Sequence, residues 1–178
     1  MTCIVGVLDG ANVYIGGDSA GVSELDLRVR ADRKVFQVGP YAFGFTSSFR
    51  MGQLLRYALT PPTPAEDVDL ERFMATDFVN SVRNTLKAGG YATKDKEVES
   101  GGTFLVGVRG RLFTVFSDYQ VGEGVDPFAA VGCGDQIAMG SLFSTSGKPA
   151  VERIQLALHA AERFSAGVRG PFHITRAS

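Results

Sequence analysis

Apolar residues recur along the first half of the chain with two different periods. Thr2 to Leu8 and Asn12 to Gly17 are β-rich runs, and the Asp9-Gly10 pair between them predicts a hairpin. Lys34 to Val38 and Tyr41 to Phe45 predict a second hairpin around Gly39-Pro40. In "SSFRMGQLLRYAL" the period lengthens to that of a helix, with Met51, Leu54, Leu55 and Ala58 on one side. "TPPTP" at 60–64 ends that helix. Thr63 with Glu66 then forms a capping box with Pro64 at the first helical position, so a long helix is expected to follow. Its stripe of Leu70, Phe73, Met74, Phe78, Val82 and Leu86 marks a core-facing surface rather than a cofactor box, and Gly89-Gly90 ends it.

The second half reads the same way. "GTFLVGV" and "RLFTVFSD" alternate as strands across the Arg109-Gly110 turn, and "FAAVG" is another short strand. Helices over Asp135 to Phe143 and Pro149 to Phe164, the second with Val151, Ile154, Leu158 and Ala161 at helical spacing, precede a last strand near Phe172 to Thr175. Four strands, two helices, three strands, two helices and a strand suit an α+β chain of two sheets packed face to face with helices outside. No linker or low-complexity tract divides it, so residues 1–178 are expected to form one domain.

Composition narrows the function classes. At 44% hydrophobic and 21% charged residues, the 178-residue chain suits one globular domain with its own core. A net charge of -1 with no basic stripe leaves no electrostatic footprint for nucleic acid. The longest apolar runs are too short to span a bilayer and no basic segment leads into a signal core, so a soluble, cytoplasmic protein without membrane contact is expected. Cys3 and Cys133 are too few for a disulfide framework and wrongly spaced for zinc, so neither a metal nor a cofactor is expected.

"IGGDSAG" at 15–21 contains Gly17-Asp18-Ser19-Ala20-Gly21, the G-x-S-x-G pattern of a serine nucleophile on a strand-to-helix turn. Only one hairpin precedes Ser19, which leaves no room for the earlier strands that such a fold needs. The trypsin-type order fails too, because His159 and His173, the only histidines, both follow the serine.

Thr2 offers a different nucleophile. A small residue after Met1 allows the methionine to be trimmed, and Thr2 would then carry both a hydroxyl and a free α-amine. An α-amine titrates near ~7.7–8.0, which suits a general base for its own hydroxyl. The first hairpin carries Asp18 back beside the Thr2 end of the opening strand, and Lys34 opens the next strand pair. A lysine ammonium beside Thr2 lowers the cost of an alkoxide-like hydroxyl, and Asp18 would hold that lysine charged and oriented.

"TCIVGV", "IGGDSAG" and "RKVFQVGPYAFGFTSS" resemble the opening of β-type proteasome subunits and of the related HslV peptidase, with the threonine, aspartate and lysine at the spacing of Thr2, Asp18 and Lys34. "VGCGD" and "ERFSAG" fit later motifs of that family. The resemblance implies a four-layer αββα sandwich and an N-terminal nucleophile hydrolase cleaving peptide bonds by threonine attack. It further implies a homo-oligomeric ring with the sites inside, fed with unfolded protein by an unfoldase ATPase. It places the oxyanion donor at the Ser48 amide and supporting groups at Ser19, Cys133, Glu162 and Ser165, and it borders the substrate side-chain pocket with Gly21, Thr46 and Arg50. Arg50 hints at acidic side chains. Cys133 stands where the family has serine, and Glu162 to Ala166 replace an Asp-x-x-Ser-Gly motif, so the hydrogen bonds around the α-amine are expected to be looser. Two alternatives share the sequence: an inactive structural or assembly subunit that keeps Met1, and an N-terminal amidohydrolase acting on a small amide in a closed pocket.

Overall fold

The computed structural model describes residues 1–177. β1 (Cys3–Asp9) and β2 (Asn12–Gly17) form the first hairpin, closing at the Asp9–Asn12 pair. β3 (Ala20–Ser23) and β4 (Asp26–Val29) make a small hairpin of their own, and β5 (Val35–Val38) pairs with β6 (Tyr41–Phe45). After α1 (Phe49–Tyr57), α2 (Leu70–Phe73) runs through a π-helical stretch, Met74–Phe78, into α3 (Val79–Ala88). β7 (Thr93–Asp95) and β8 (Val98–Ser100) form another small hairpin, followed by β9 (Phe104–Val108), β10 (Arg111–Val115), β11 (Val121–Glu123) and β12 (Phe128–Gly132). α4 (Asp135–Ser144), α5 (Ala150–Phe164) and β13 (His173–Ala177) end the described chain.

Two antiparallel sheets result, ordered β12-β1-β2-β13 and β11-β10-β9-β6-β5. Strand alternation decides the layers. Cys3, Val5 and Val7 of β1 face Ala138 and Leu142 of α4 and Ile154 and Leu158 of α5, whereas Ile4 faces Ile15, Val35 and Leu105 between the sheets. Phe36, Phe43 and Phe104 point out of the second sheet onto Met51, Leu55, Phe78 and Val82 of the other helix layer. The strands are buried on both faces, so β1 reads as an almost unbroken apolar run instead of an alternating one. The architecture is the αββα sandwich that the resemblance implies, with helices outside both sheets.

Strands β3, β4, β7, β8 and β11 add to the expected order, and the region of α2 and α3 departs from the expectation in two ways. The helix expected after Thr63 begins at Leu70, with the Asp69 carboxylate accepting from the Glu71 and Arg72 amides. The intervening carbonyls are taken by side chains: Tyr41 Oη donates to Pro62 O (2.6 Å), and the Arg109 guanidinium to Pro64 O (2.6 Å) and Ala65 O (2.8 Å). Those contacts pin the segment as a loop, so Thr63 and Glu66 do not cap a helix. The π-helical stretch also follows from the stripe. Apolar residues at 74, 78, 82 and 86 recur every four positions, which would rotate an α-helical stripe by about 40° per step. A wider turn absorbs part of that drift and keeps Met74, Phe78, Val82 and Leu86 buried.

Candidate active site

The site forms where β1 begins and β2 ends. The Asp18 amide donates to Cys3 O (3.3 Å) and the Cys3 amide donates back to Asp18 Oδ1 (3.1 Å), so the backbone seats the aspartate beside Thr2. Asp18 Oδ2 accepts from the Ala20 amide (2.9 Å) and the Arg169 amide (3.2 Å). Lys34 immediately precedes β5 in the other sheet, and its carbonyl accepts from the Phe45 amide (3.1 Å). Its ammonium reaches between the sheets and donates both to Asp18 Oδ1 (2.8 Å) and to Thr2 Oγ1 (2.8 Å).

All three side chains are out of water: Thr2 is 5%, Asp18 0% and Lys34 1% exposed. Burial pulls the Lys34 ammonium below the ordinary lysine range, and the charge and hydrogen bond of Asp18 oppose that pull. A charge in this position is kept only because the carboxylate is in contact, and the carboxylate in turn is held by three backbone amides. The Thr2 hydroxyl accepts from a cation and keeps its own proton to donate, which it gives to the Met1 carbonyl oxygen.

On the amide side, Thr2 N–H donates to Cys133 Sγ (3.3 Å), which contacts Thr2 O (3.4 Å), and Ser165 Oγ lies 3.4 Å from the same sulfur. Gly132 makes this approach possible. Its φ is +106°, and a Cβ there would lie 2.2 Å from Thr2 O. The two cysteines are unlike each other. Cys3 is fully buried, and burial with the nearby Asp18 charge pushes its thiol far up, whereas Cys133 is exposed. Iodoacetamide on the native protein is therefore expected to label Cys133 and spare Cys3, with both labelled after denaturation; peptide mass mapping checks this.

Other expected site residues are placed differently. The Ser48 amide donates to Thr46 O (2.8 Å) across Ser47, whose φ is +66°, so this amide is occupied rather than presented to the cleft. The Ser48 hydroxyl caps α1 by accepting from the Arg50 amide (3.0 Å). Glu162 does not reach Thr2: Oε1 accepts from the Gly170 amide (2.9 Å), and Oε2 lies 3.6 Å from His159 Nδ1. Ser19 Oγ donates to Pro171 O (2.6 Å), and the Ser19 amide to Arg169 O (2.7 Å). Arg50 turns away from the cleft and donates to Gly89 O (3.1 Å) at the end of α3.

A small cleft of about 70 Å³ opens on Thr2, lined by Met1, Val22, Phe45, Thr46, Ser48 and Phe49 among others. Through Val22 and Phe49 it continues into a groove of about 400 Å³ along the β3–β4 hairpin, where Gly21 lies. Sequence reasoning missed this hairpin. Its turn residue Glu24 has φ +52°, a conformation that the Glu-Leu pair does not announce. Among the described residues, no group of three His, Cys, Asp or Glu side chains is placed to hold a metal, and no helix is long and apolar enough to cross a membrane.

The same architecture occurs in solved structures over nearly the full chain. No family model and no curated protein matches the sequence. The BPH of Thiobacillus denitrificans, solved in complex with epoxomicin, superposes with a TM-score of 0.80 at 20% identity, covering 99% of this chain and 98% of that one. Eukaryotic HslV from Trypanosoma brucei gives 0.69 at 14% identity, covering 98% of each chain. Anbu, an ancestral beta-subunit from Yersinia bercovieri, gives 0.67 at 16% identity, covering 99% of this chain and 81% of that one. Since the likeness extends over 98–99% of the chain and takes in its two-sheet, two-helix-layer architecture, the chain has the fold of the proteasome-like N-terminal nucleophile hydrolases.

Proposed function

We propose that the protein is a threonine peptidase in which Thr2, once Met1 is removed, attacks the carbonyl carbon of a peptide bond. The observation that carries this reading is the buried Thr2–Lys34–Asp18 contact, with one ammonium 2.8 Å from both the hydroxyl and the carboxylate. Removal of Met1 frees the hydroxyl proton from the Met1 carbonyl and turns the Thr2 amide nitrogen into an amine. That amine takes the proton as Thr2 Oγ1 attacks, and Lys34 stabilises the developing negative charge on the oxygen. The amine then passes the proton to the leaving nitrogen, and water hydrolyses the Thr2 ester in a second step. The Ser48 amide serves the oxyanion only after it releases Thr46 O, so the turn at Ser47 opens when substrate binds. Cys133 holds the amine, Ser165 backs it through the Cys133 sulfur, and Glu162 acts at one remove by fixing the loop at Gly170.

Cytoplasmic copies of the chain assemble into a homo-oligomeric ring, with an unfoldase ATPase supplying unfolded protein. Likeness to HslV and to an ancestral beta-subunit supports the homo-oligomeric ring, as do the exposed apolar side chains Phe143 and Phe164 on the α4–α5 layer. Hydrolysis of fluorogenic peptides by Met1-free protein, blocked by epoxomicin, is the test; absence of hydrolysis in that form refutes the reading.

Ser19 separates the N-terminal mechanism from a serine hydrolase. Its hydroxyl only ties the β2 end to Pro171 O, so Ser19→Ala is expected to cost about 1 kcal/mol of stability and to leave most of the hydrolysis. Thermal melts and peptide assays check this. Complete loss of hydrolysis in a folded Ser19→Ala protein would return the nucleophile role to Ser19.

A further inference from the structure

The groove beside the Thr2 cleft has a charge pattern that neither the fold nor the mechanism uses. On β3 and β4, the Gly21–Arg28 and Ser23–Asp26 pairs share the face that lines it, with Arg30 and Phe49 at the end nearest Thr2. Arg30 is fixed. Its guanidinium stacks on the Phe49 ring at 4.1 Å from the centroid and bonds Asp32 through both Nε (2.6 Å) and Nη2 (2.7 Å). Gly21 leaves space for that path, because a Cβ there would lie 3.0 Å from Arg30 Cγ and 3.2 Å from Cδ. Arg30 therefore forms a wall with its charge already matched.

Arg28 is the other guanidinium in the groove, and among the described residues it makes no ion pair or side-chain hydrogen bond. It stands in mid-groove on a strand whose backbone is paired, between the Arg30–Phe49 wall and Asp26 near the hairpin tip. An extended segment entering from the Thr2 cleft meets the wall first, then the free guanidinium, then the carboxylate.

We infer that Arg28 is a specificity-determining residue and that the preferred substrates are peptides with an acidic side chain on the acyl side of the cleaved bond, its carboxylate paired with the Arg28 guanidinium in this groove. The inference rests on the peptidase reading and gives it a substrate class. It also moves the acidic preference from Arg50, whose guanidinium is turned to Gly89 O, to the β4 strand. A partly exposed arginine–carboxylate pair favours the acidic peptide by about fivefold over a neutral isostere. Basic side chains meet Arg28 first and are disfavoured.

Two assays test it separately from the chemistry. In the first, Met1-free protein is given matched fluorogenic peptides carrying Glu, Gln or Lys at the positions preceding the cleaved bond. The Glu reporter should show about fivefold higher kcat/KM than the Gln reporter, expressed mainly in KM. Arg28→Ala should bring that ratio near one, Arg28→Glu should reverse it in favour of Lys, and Arg28→Lys should restore most of it. In the second, a non-cleaving Thr2→Ala protein is titrated with labelled Glu and Gln peptides by fluorescence anisotropy. The Glu peptide should bind more tightly, with a preference that Arg28→Ala removes and added salt weakens. Hydrolysis with equal rates on Glu and Gln reporters overturns the inference and leaves the peptidase reading standing. Preferential binding of the Glu peptide without hydrolysis by the Met1-free protein supports the groove assignment and refutes the peptidase reading. Equal binding of the two peptides overturns the groove assignment.

Discussion

Replacing Thr2 by alanine is expected to remove peptide hydrolysis to the level of the uncatalysed background while leaving the fold intact. The substitution deletes the oxygen proposed to attack, and among the described residues no other hydroxyl touches the Lys34 ammonium. The structural cost is small by comparison. Thr2 precedes β1, and its hydroxyl makes one bond to Lys34 and one to the Met1 carbonyl, so about 1–2 kcal/mol of stability is at stake. Lys34 keeps its carboxylate partner, which is why the variant should melt near wild type. Thr2→Ser keeps the hydroxyl and the amine and should retain part of the rate. Residual hydrolysis above a few per cent in Thr2→Ala would exclude Thr2 as the nucleophile.

Lys34→Ala is expected to lose both activity and stability, which distinguishes it from Thr2→Ala. Asp18 is fully buried, and removing the ammonium leaves its charge with three backbone amides and no counter-ion among the described residues. Breaking a buried pair in this way costs roughly 3–5 kcal/mol, toward the lower end here because the amides share the charge. The Thr2 hydroxyl loses at the same time the only cation that donates to it among the described residues, so hydrolysis is expected to slow as well. Lys34→Arg retains charge but places a larger, planar group where a compact ammonium donates to two oxygens at 2.8 Å. That variant should fold better than Lys34→Ala and remain nearly inactive. Melting temperatures and peptide hydrolysis on the two variants decide it; wild-type behaviour in both would make Lys34 dispensable.

The parts of this molecule that were legible in its sequence are those governed by period and by strong turn residues. β1, β2, β5, β6, β9 and β10 announce themselves because their hairpins turn at Asp-Gly, Gly-Pro and Arg-Gly pairs, and α5 because Ile154, Leu158 and Ala161 keep helical spacing. The β3–β4 and β7–β8 hairpins do not. Their turns use Glu24, and Lys96 with Glu97, at φ values of +45° to +72°, residue types that carry no turn signal of their own. The start of α2 was illegible for a different reason, since the contacts of Tyr41 and Arg109 with the 62–65 carbonyls are tertiary.

The site divides the same way. Hairpin geometry brings Asp18 back to Thr2, so that pairing could be read from strand lengths, and Lys34 follows from the resemblance. Arg28 was out of reach because the strand that presents it was not seen. The resemblance gives Ser48 and Arg50 their expected roles by position, and position does not say that one amide turns to Thr46 O or that one guanidinium turns to Gly89 O.

Everything proposed for Thr2 depends on its nitrogen being an amine. With Met1 in place that nitrogen is an amide donating to Cys133 Sγ, and it has no lone pair with which to take a proton. Mass mapping of the N-terminal peptide of the purified, peptide-hydrolysing protein reads this directly. The mechanism predicts that Met1 is absent and that Thr2 is the first residue; Met1 retained in all of the active protein would contradict it.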